Sequence, residues 1–121
     1  MDLAVRILLV LAGLFGAGGV ATAAVAAHGT GDETLRTAAH FLLLHAAAVA
    51  ATAAVAMRAP PGWPVAHVAG GLLALGTILF CGDLLARAWL GARLFPLAAP
   101  TGGSVLIAGW LALAVAGIAG R

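Results

Sequence analysis

Asp83, His40 and His45 are the side chains of this 121-residue chain that are best suited to bind a small ligand or move a proton. All three stand inside long apolar stretches, where ionisable groups often mark a solute or proton path. Imidazole exchanges protons near neutral pH. Arg87 follows Asp83 by four residues, which suits an ion pair along one helical face. His28, at the end of the first apolar stretch, completes the candidate set.

Three interpretations of these residues remain open. The group can be a polar network that fixes helix register, a pathway for protons or a small solute, or a metal site. His40 and His45 are five residues apart and point about 140° apart on a helix, so they cannot chelate one ion together. A metal would need His28 or Asp83 as well. We predict no metal and no cofactor.

Catalysis has less support in the sequence. The chain has no HExxH, GxSxG or phosphate-binding loop motif and no Ser-His-Asp spacing, so we predict that it is not an enzyme. Cys81 is the single cysteine, which excludes an intrachain disulfide. Its place in an apolar run predicts a small buried hydrophobic residue.

Four apolar runs must position these residues: 3–27, 33–57, 65–90 and 103–120. A helix that crosses the hydrocarbon core needs about 20 apolar residues, and each run is close to that length. Hydrophobic residues make up 64% of the chain and charged residues 8%, too few to cover a water-facing surface. The sequence predicts an all-α fold, one domain that is a bundle of four transmembrane helices in the lipid bilayer.

The first run resembles a secretory signal, with Arg6 before it and Ala24-Val25-Ala26 near its end. At about 25 residues it is longer than a typical signal core, so we predict that it is the first membrane helix. An even number of spans puts both termini on one side of the membrane, here called the terminal side. The first and third connections lie on the other, the loop side.

Arginines do not decide the orientation of the chain. Three of the six fall on each side, and there is no lysine. Because Arg36 and Arg87 have acidic residues nearby, we predict cytoplasmic termini. The arginines are scattered, which argues against nucleic-acid binding. Trp63 and Trp89, at the two ends of the third run, are predicted at headgroup level, and His67 is predicted to be an interfacial residue.

The breaks between the runs contain capping residues. Thr30 with Glu33 fits a capping box for helix 2. Gly91 is a predicted C-cap of helix 3, and Thr101 or Ser104 can cap helix 4.

Small residues fill the helix interiors. Helices 1 and 3 are rich in glycine and helix 2 is mostly alanine over 46–56. Small residues let membrane helices approach closely. This predicts tight packing within one bundle, and a face for self-association is the alternative. We predict a homo-oligomer.

Five short stretches resemble the family of small membrane proteins catalogued as domain of unknown function 423. Residues 27–29 are similar to its GAHG motif, and residues 41–48 to YQxxHALA with His45 as the histidine. Residues 80–84 are similar to FSGSLY, and residues 100–103 with 109–111 to its TPIGG…GW ending. The resemblance marks Gly82, Thr101, Gly102, Gly103 and Trp110 as structural motif residues.

The departures from these motifs concern polar groups. Phe41 and Leu42 stand where the family motif has Tyr-Gln, and Cys81 and Asp83 stand at serine positions. The resemblance implies a four-span protein of the bacterial inner membrane, with relatives in mitochondria, and implies no activity. We therefore expect a non-enzymatic membrane protein whose loop-side polar pocket binds or passes an unidentified small ligand or proton. A structural or assembly subunit without a ligand is the alternative.

Overall fold

Four α-helices account for most of the chain in the computed structural model, which describes residues 1–29 and 32–119. They are α1 Leu3–His28, α2 Glu33–Arg58, α3 Val65–Leu90 and α4 Ala98–Ala119. Each is long and apolar enough to cross a membrane. The described residues contain no strand. The predicted all-α, four-helix architecture is confirmed.

Aspartate side chains cap the starts of α1 and α2, and a glycine ends α3. Asp2 caps α1 by accepting a hydrogen bond from the backbone N–H of Val5, and Asp32 caps α2 through the N–H of Thr34. The predicted capping box involves Thr30, which lies outside the described residues. Gly91 is the C-cap of α3, as predicted, and its φ of 69° places it in the left-handed region.

The fourth helix begins at Ala98, five residues before the predicted start. Pro100 was expected to precede the helix, but in the first turn its missing N–H removes no internal hydrogen bond. The N–H of Thr101 already bonds the carbonyl of Leu97. The prediction that Thr101 or Ser104 caps this helix is therefore wrong. Ser104 instead donates from its hydroxyl to the carbonyl of Pro100.

The helices pack as two hairpins joined through the middle of the chain. The α1–α2 and α3–α4 pairs share the most extensive contacts, α2 packs against α3, and α1 makes only a minor contact with α3. The two inner helices, α2 and α3, are consequently the most buried, and α1 and α4 take the outer positions. The core between them is aliphatic and aromatic: Val5, Leu8, Phe15, Leu42, Val49, Leu73 and Leu106.

Glycines at the helix contacts allow the backbones to approach closely. A Cβ added at Gly102 would lie 2.6 Å from the backbone nitrogen of Phe80, and one at Gly19 would lie 2.8 Å from Leu43 Cγ. No real Cβ is that close to a neighbour, so these helices can meet only because the side chain is absent. The predicted close packing within one bundle is confirmed at these positions. Gly13, by contrast, has open space above it.

Candidate functional site

Asp83 is fully buried, with an exposed fraction of 0%. Its Oδ1 accepts a hydrogen bond of 2.8 Å from the backbone N–H of Leu94. Its Oδ2 lies 2.8 Å from Arg87 Nη2. The N–H direction of that contact falls outside hydrogen-bond geometry, so Oδ2 is paired by charge but receives no hydrogen bond from the described residues. The predicted ion pair with Arg87 is confirmed.

Asp83 also ties the α3–α4 connection to the end of α3. Leu94 lies in that connection, four residues before α4, and its N–H has no helical partner. The connection passes close to Gly82, where an added Cβ would meet the Leu94 side chain at 3.5 Å, an ordinary van der Waals distance. Arg87, whose side chain is 39% exposed, extends outward from the same face. The carboxylate thus combines a helical ion pair with a loop anchor.

His45 uses both of its ring nitrogens inside the bundle. It is 2% exposed and lies at the middle of α2. Nδ1 is 2.9 Å from the carbonyl oxygen of Phe41, and Trp110 Nε1 donates to Nε2 over 3.2 Å. An indole N–H can only donate, so Nε2 must accept. The proton therefore sits on Nδ1, which donates to Phe41, and the imidazole is neutral.

Aromatic rings surround this imidazole. Phe41 stacks on His45 with ring centroids 5.6 Å apart and also contacts Phe80 at 4.4 Å. Trp110 meets His45 edge-on at 5.7 Å. The His45–Trp110 hydrogen bond joins α2 to α4, two helices whose backbones otherwise make few contacts. The sequence indicated both residues separately but not their pairing. Both lie near the middle of their helices, which gives them a similar depth but does not show whether they face each other.

Four other buried polar side chains of the described residues, one cysteine and three threonines, bond to backbone carbonyls, whereas the buried Nδ1 of His67 has no hydrogen-bond partner among the described residues. Cys81 is buried as predicted, with its Sγ 3.7 Å from the carbonyl of Ala38 on α2. The hydroxyls of Thr22, Thr52 and Thr77 each donate to a carbonyl three or four residues earlier in their own helix. These bonds remove the cost of a bare polar group in an apolar interior.

His28 and His40 do not join Asp83. Both are exposed, His28 as the last residue of α1 and His40 on the outer side of α2. His40 and His45 point about 140° apart, so burying His45 turns His40 outward. The polar contacts of Asp83 come from its own helix and the following connection. No histidine among the described residues contacts this carboxylate, and its charged partner is Arg87, the candidate favoured by the sequence.

The structure reveals a second polar pair, on the terminal side. Asp2 Oδ2 lies 3.0 Å from His67 Nε2, which links the starts of α1 and α3. The hydrogen bond from the N–H of Val5 and the contact with His67 lower the pKa of Asp2 below its ordinary value of 3.8. Sequence reasoning missed this pair, although both residues begin helices that start on the same side.

Three cavities are prominent in the described part of the chain. The largest, about 610 Å³, lies at the terminal side and is lined by Met1, Asp2, His67 and the 59–64 connection. A groove of about 410 Å³ lies beside Arg58, and a third cavity of similar size lies between α3 and α4. Neither His45 nor Asp83 lines any of these three.

No three metal-binding side chains converge within residues 1–29 and 32–119. The expectation that the chain holds no metal and no cofactor stays a prediction. Of the structural motif residues, Gly102 contacts α3 and Trp110 bonds His45, whereas Gly103 has no atom within 4 Å of the place a Cβ would occupy.

These features define a class of protein: a small, four-span α-helical bundle whose buried polar side chains bond mainly within the bundle. The sequence matches the profile described as "Protein of unknown function (DUF423)" over residues 22–103, about two thirds of the chain. The chain belongs to this family, as its motifs predicted. The matched region contains His28, His45 and Asp83 and ends before Trp110. No solved structure matches the chain.

Proposed function

We propose that this chain is a non-enzymatic membrane protein that serves as a structural or assembly subunit. The observation that carries the proposal is the bonding of His45. A proton-carrying imidazole needs partners that release or accept a proton, whereas the nitrogens of His45 bond a backbone carbonyl, of Phe41, and an indole N–H, of Trp110, which do neither at neutral pH. The same two bonds leave no nitrogen open to a ligand. Asp83 is likewise engaged by Leu94 and Arg87. These groups serve helix and loop placement.

The proposed assembly is a homo-oligomer that forms through the outer face of α1. Gly13, Ala17, Ala21 and Ala24 are exposed and recur every three or four residues. They lie opposite the buried face of the helix that contains Phe15 and Gly19. Such small-residue spacing lets two membrane helices come close together. We place the assembly in the bacterial inner membrane because of the motif resemblance, with cytoplasmic termini because Arg36 and Arg87 have acidic neighbours.

Sedimentation equilibrium of the full chain in density-matched detergent tests this proposal. The wild-type chain is expected to sediment as a defined oligomer, and Ala17→Leu is expected to weaken association about tenfold by blocking close approach. Ala51→Leu, an equal enlargement on the exposed side of α2, is the matched control and should leave association unchanged. A wild-type monomer at all concentrations, or equal behaviour of the two variants, would contradict the proposal.

A second candidate function, passage of a proton or small solute, has one observation in its favour. Asp83 Oδ2 is buried and receives no hydrogen bond from the described residues, so a water or ligand donor could complete it. Proteoliposomes that contain a pH-sensitive dye separate the two functions. A structural subunit leaves the proton leak at the level of protein-free vesicles. A leak that Asp83→Asn abolishes would instead support passage.

A further inference from the structure

A groove on the terminal side runs between α2, α3 and α4. It has a volume of about 410 Å³, and its walls include Val55, Ala66 and Ala116. Small side chains from three helices leave this space open. Arg58 is the charged residue of the lining, and Trp63 closes the same end. The groove is therefore apolar along its length and cationic at the membrane surface.

Arg58 has no carboxylate partner among the described residues. Arg36 pairs with Glu33 and Arg87 pairs with Asp83, but no acidic side chain of the described chain lies within 4 Å of Arg58. Arg58 is exposed and ends α2. An arginine without a counter-charge, at the opening of an apolar groove, is complementary to an anion that carries an apolar chain.

We propose that this groove binds one anionic phospholipid. The phosphate lies at the Arg58 guanidinium, which suits bidentate contact with phosphate oxygens. One acyl chain lies along Val55 and Ala116, in the space that the alanines leave. Trp63 lies at the level of the headgroup, where tryptophan is enriched in membrane proteins. Binding requires one protomer only, so the inference is independent of the assembly proposed above.

Native mass spectrometry of the full chain tests the proposal. The delipidated protein is mixed with equal amounts of palmitoyl-oleoyl phosphatidylglycerol and phosphatidylcholine, which have the same acyl chains and differ in headgroup charge. One arginine near an anionic lipid headgroup predicts a preference of about fivefold for the phosphatidylglycerol adduct. Equal binding of both lipids would overturn the proposal, because acyl chains alone would then account for occupancy.

Two pairs of variants test the two ends of the groove. Arg58→Gln should bring the ratio of phosphatidylglycerol to phosphatidylcholine adducts close to one. Arg6→Gln should leave this ratio unchanged, because Arg6 is an exposed terminal-side arginine that lines none of the three cavities. Ala116→Leu fills the groove and should weaken both lipids, and the exposed Ala114→Leu should not. A preference that survives Arg58→Gln, or that Arg6→Gln lowers equally, contradicts the assignment.

Discussion

At the scale of single residues, bonding partners decide what the buried polar groups can do. Histidine in an apolar helix is compatible with a proton relay, a ligand or a structural contact, and the sequence left these alternatives open. The two hydrogen-bond partners of His45 favour the structural contact. They occupy both ring nitrogens, and the indole donor at Nε2 leaves the neutral ring with a single tautomer. Partners 65 residues apart depend on helix placement, which spacing along the chain does not reveal.

The first prediction concerns the tautomer of His45. In ¹⁵N NMR of the full chain in lipid at neutral pH, we expect a protonated Nδ1 and an unprotonated Nε2. Trp110→Phe removes the indole donor and should release the ring into a mixture of tautomers. The exposed His28 and His40 serve as internal references in both samples. A wild-type His45 protonated at Nε2 would be incompatible with the hydrogen bond from Trp110.

The second prediction concerns the pH dependence at Asp2. Because the folded state lowers the pKa of this carboxyl, its charge contributes stability above the ordinary value of 3.8, and this contribution is lost as pH falls through the lowered value. Asp2→Asn keeps a capping oxygen but removes the charge. Thermal unfolding should give the variant a lower Tm at pH 7, with the difference vanishing in strong acid. A difference independent of pH would show that the charge has no part.

The third prediction concerns the ion pair of Asp83 and Arg87. Arg87→Gln leaves a buried carboxylate without its counter-charge and should lower the free energy of unfolding by about 2 kcal/mol, discounted for the partial exposure of the arginine. Adding Asp83→Asn should recover part of the loss. The exposed Arg93→Gln, on the same side, is the control. Similar losses from Arg87→Gln and Arg93→Gln would mean that the pair is not stabilising.

At the scale of helices, the lengths of the apolar runs predicted the four helices well. The capping residues predicted the end of α3 but not the start of α4. The apolar runs placed α3 correctly and α1 and α2 within one residue at each end. The start of α4 was misplaced because a proline can occupy a first helical turn as easily as the loop before it. Gly102 and Gly103 looked alike in sequence, yet only Gly102 faces α3. The two glycines differ because the rotation of α4 about its axis turns Gly102 toward α3 and Gly103 away from it. The sequence of α4 is almost uniformly apolar, so it does not indicate this rotation.

The fourth prediction uses this neighbouring pair of glycines. Gly102→Ala places a Cβ against the backbone of Phe80, so α4 must move and the loss of stability should be about 1–3 kcal/mol. Gly103→Ala adds the same methyl group where no atom lies within 4 Å. It should be neutral or slightly stabilising, because alanine favours helix over glycine. Equal effects in a thermal unfolding assay would contradict the close contact of α3 and α4.

At the scale of the whole molecule, the fold follows from solvent and chain length, whereas the site does not. Four apolar helices in 121 residues predict an antiparallel bundle, because the few residues between the helices form only short connections. Asp83 and Arg87 lie on one helix, so their pairing could be predicted from the i, i+4 spacing. His45 and Trp110 lie on different helices, and their pairing depends on how each helix is rotated about its axis, which the sequence does not show. The contact between Asp2 and His67 could have been expected from the topology, because α1 and α3 start on the same side of the bundle.

One measurement tests the central claim, that buried polar side chains hold this bundle together. A double-mutant cycle with His45→Ala and Trp110→Phe isolates their interaction, because losses confined to either side chain cancel in the comparison. We expect a coupling free energy of about 1 kcal/mol, within the range found for hydrogen bonds between membrane helices. Strictly additive losses of unfolding free energy would contradict the account, because the contact between α2 and α4 would then contribute nothing.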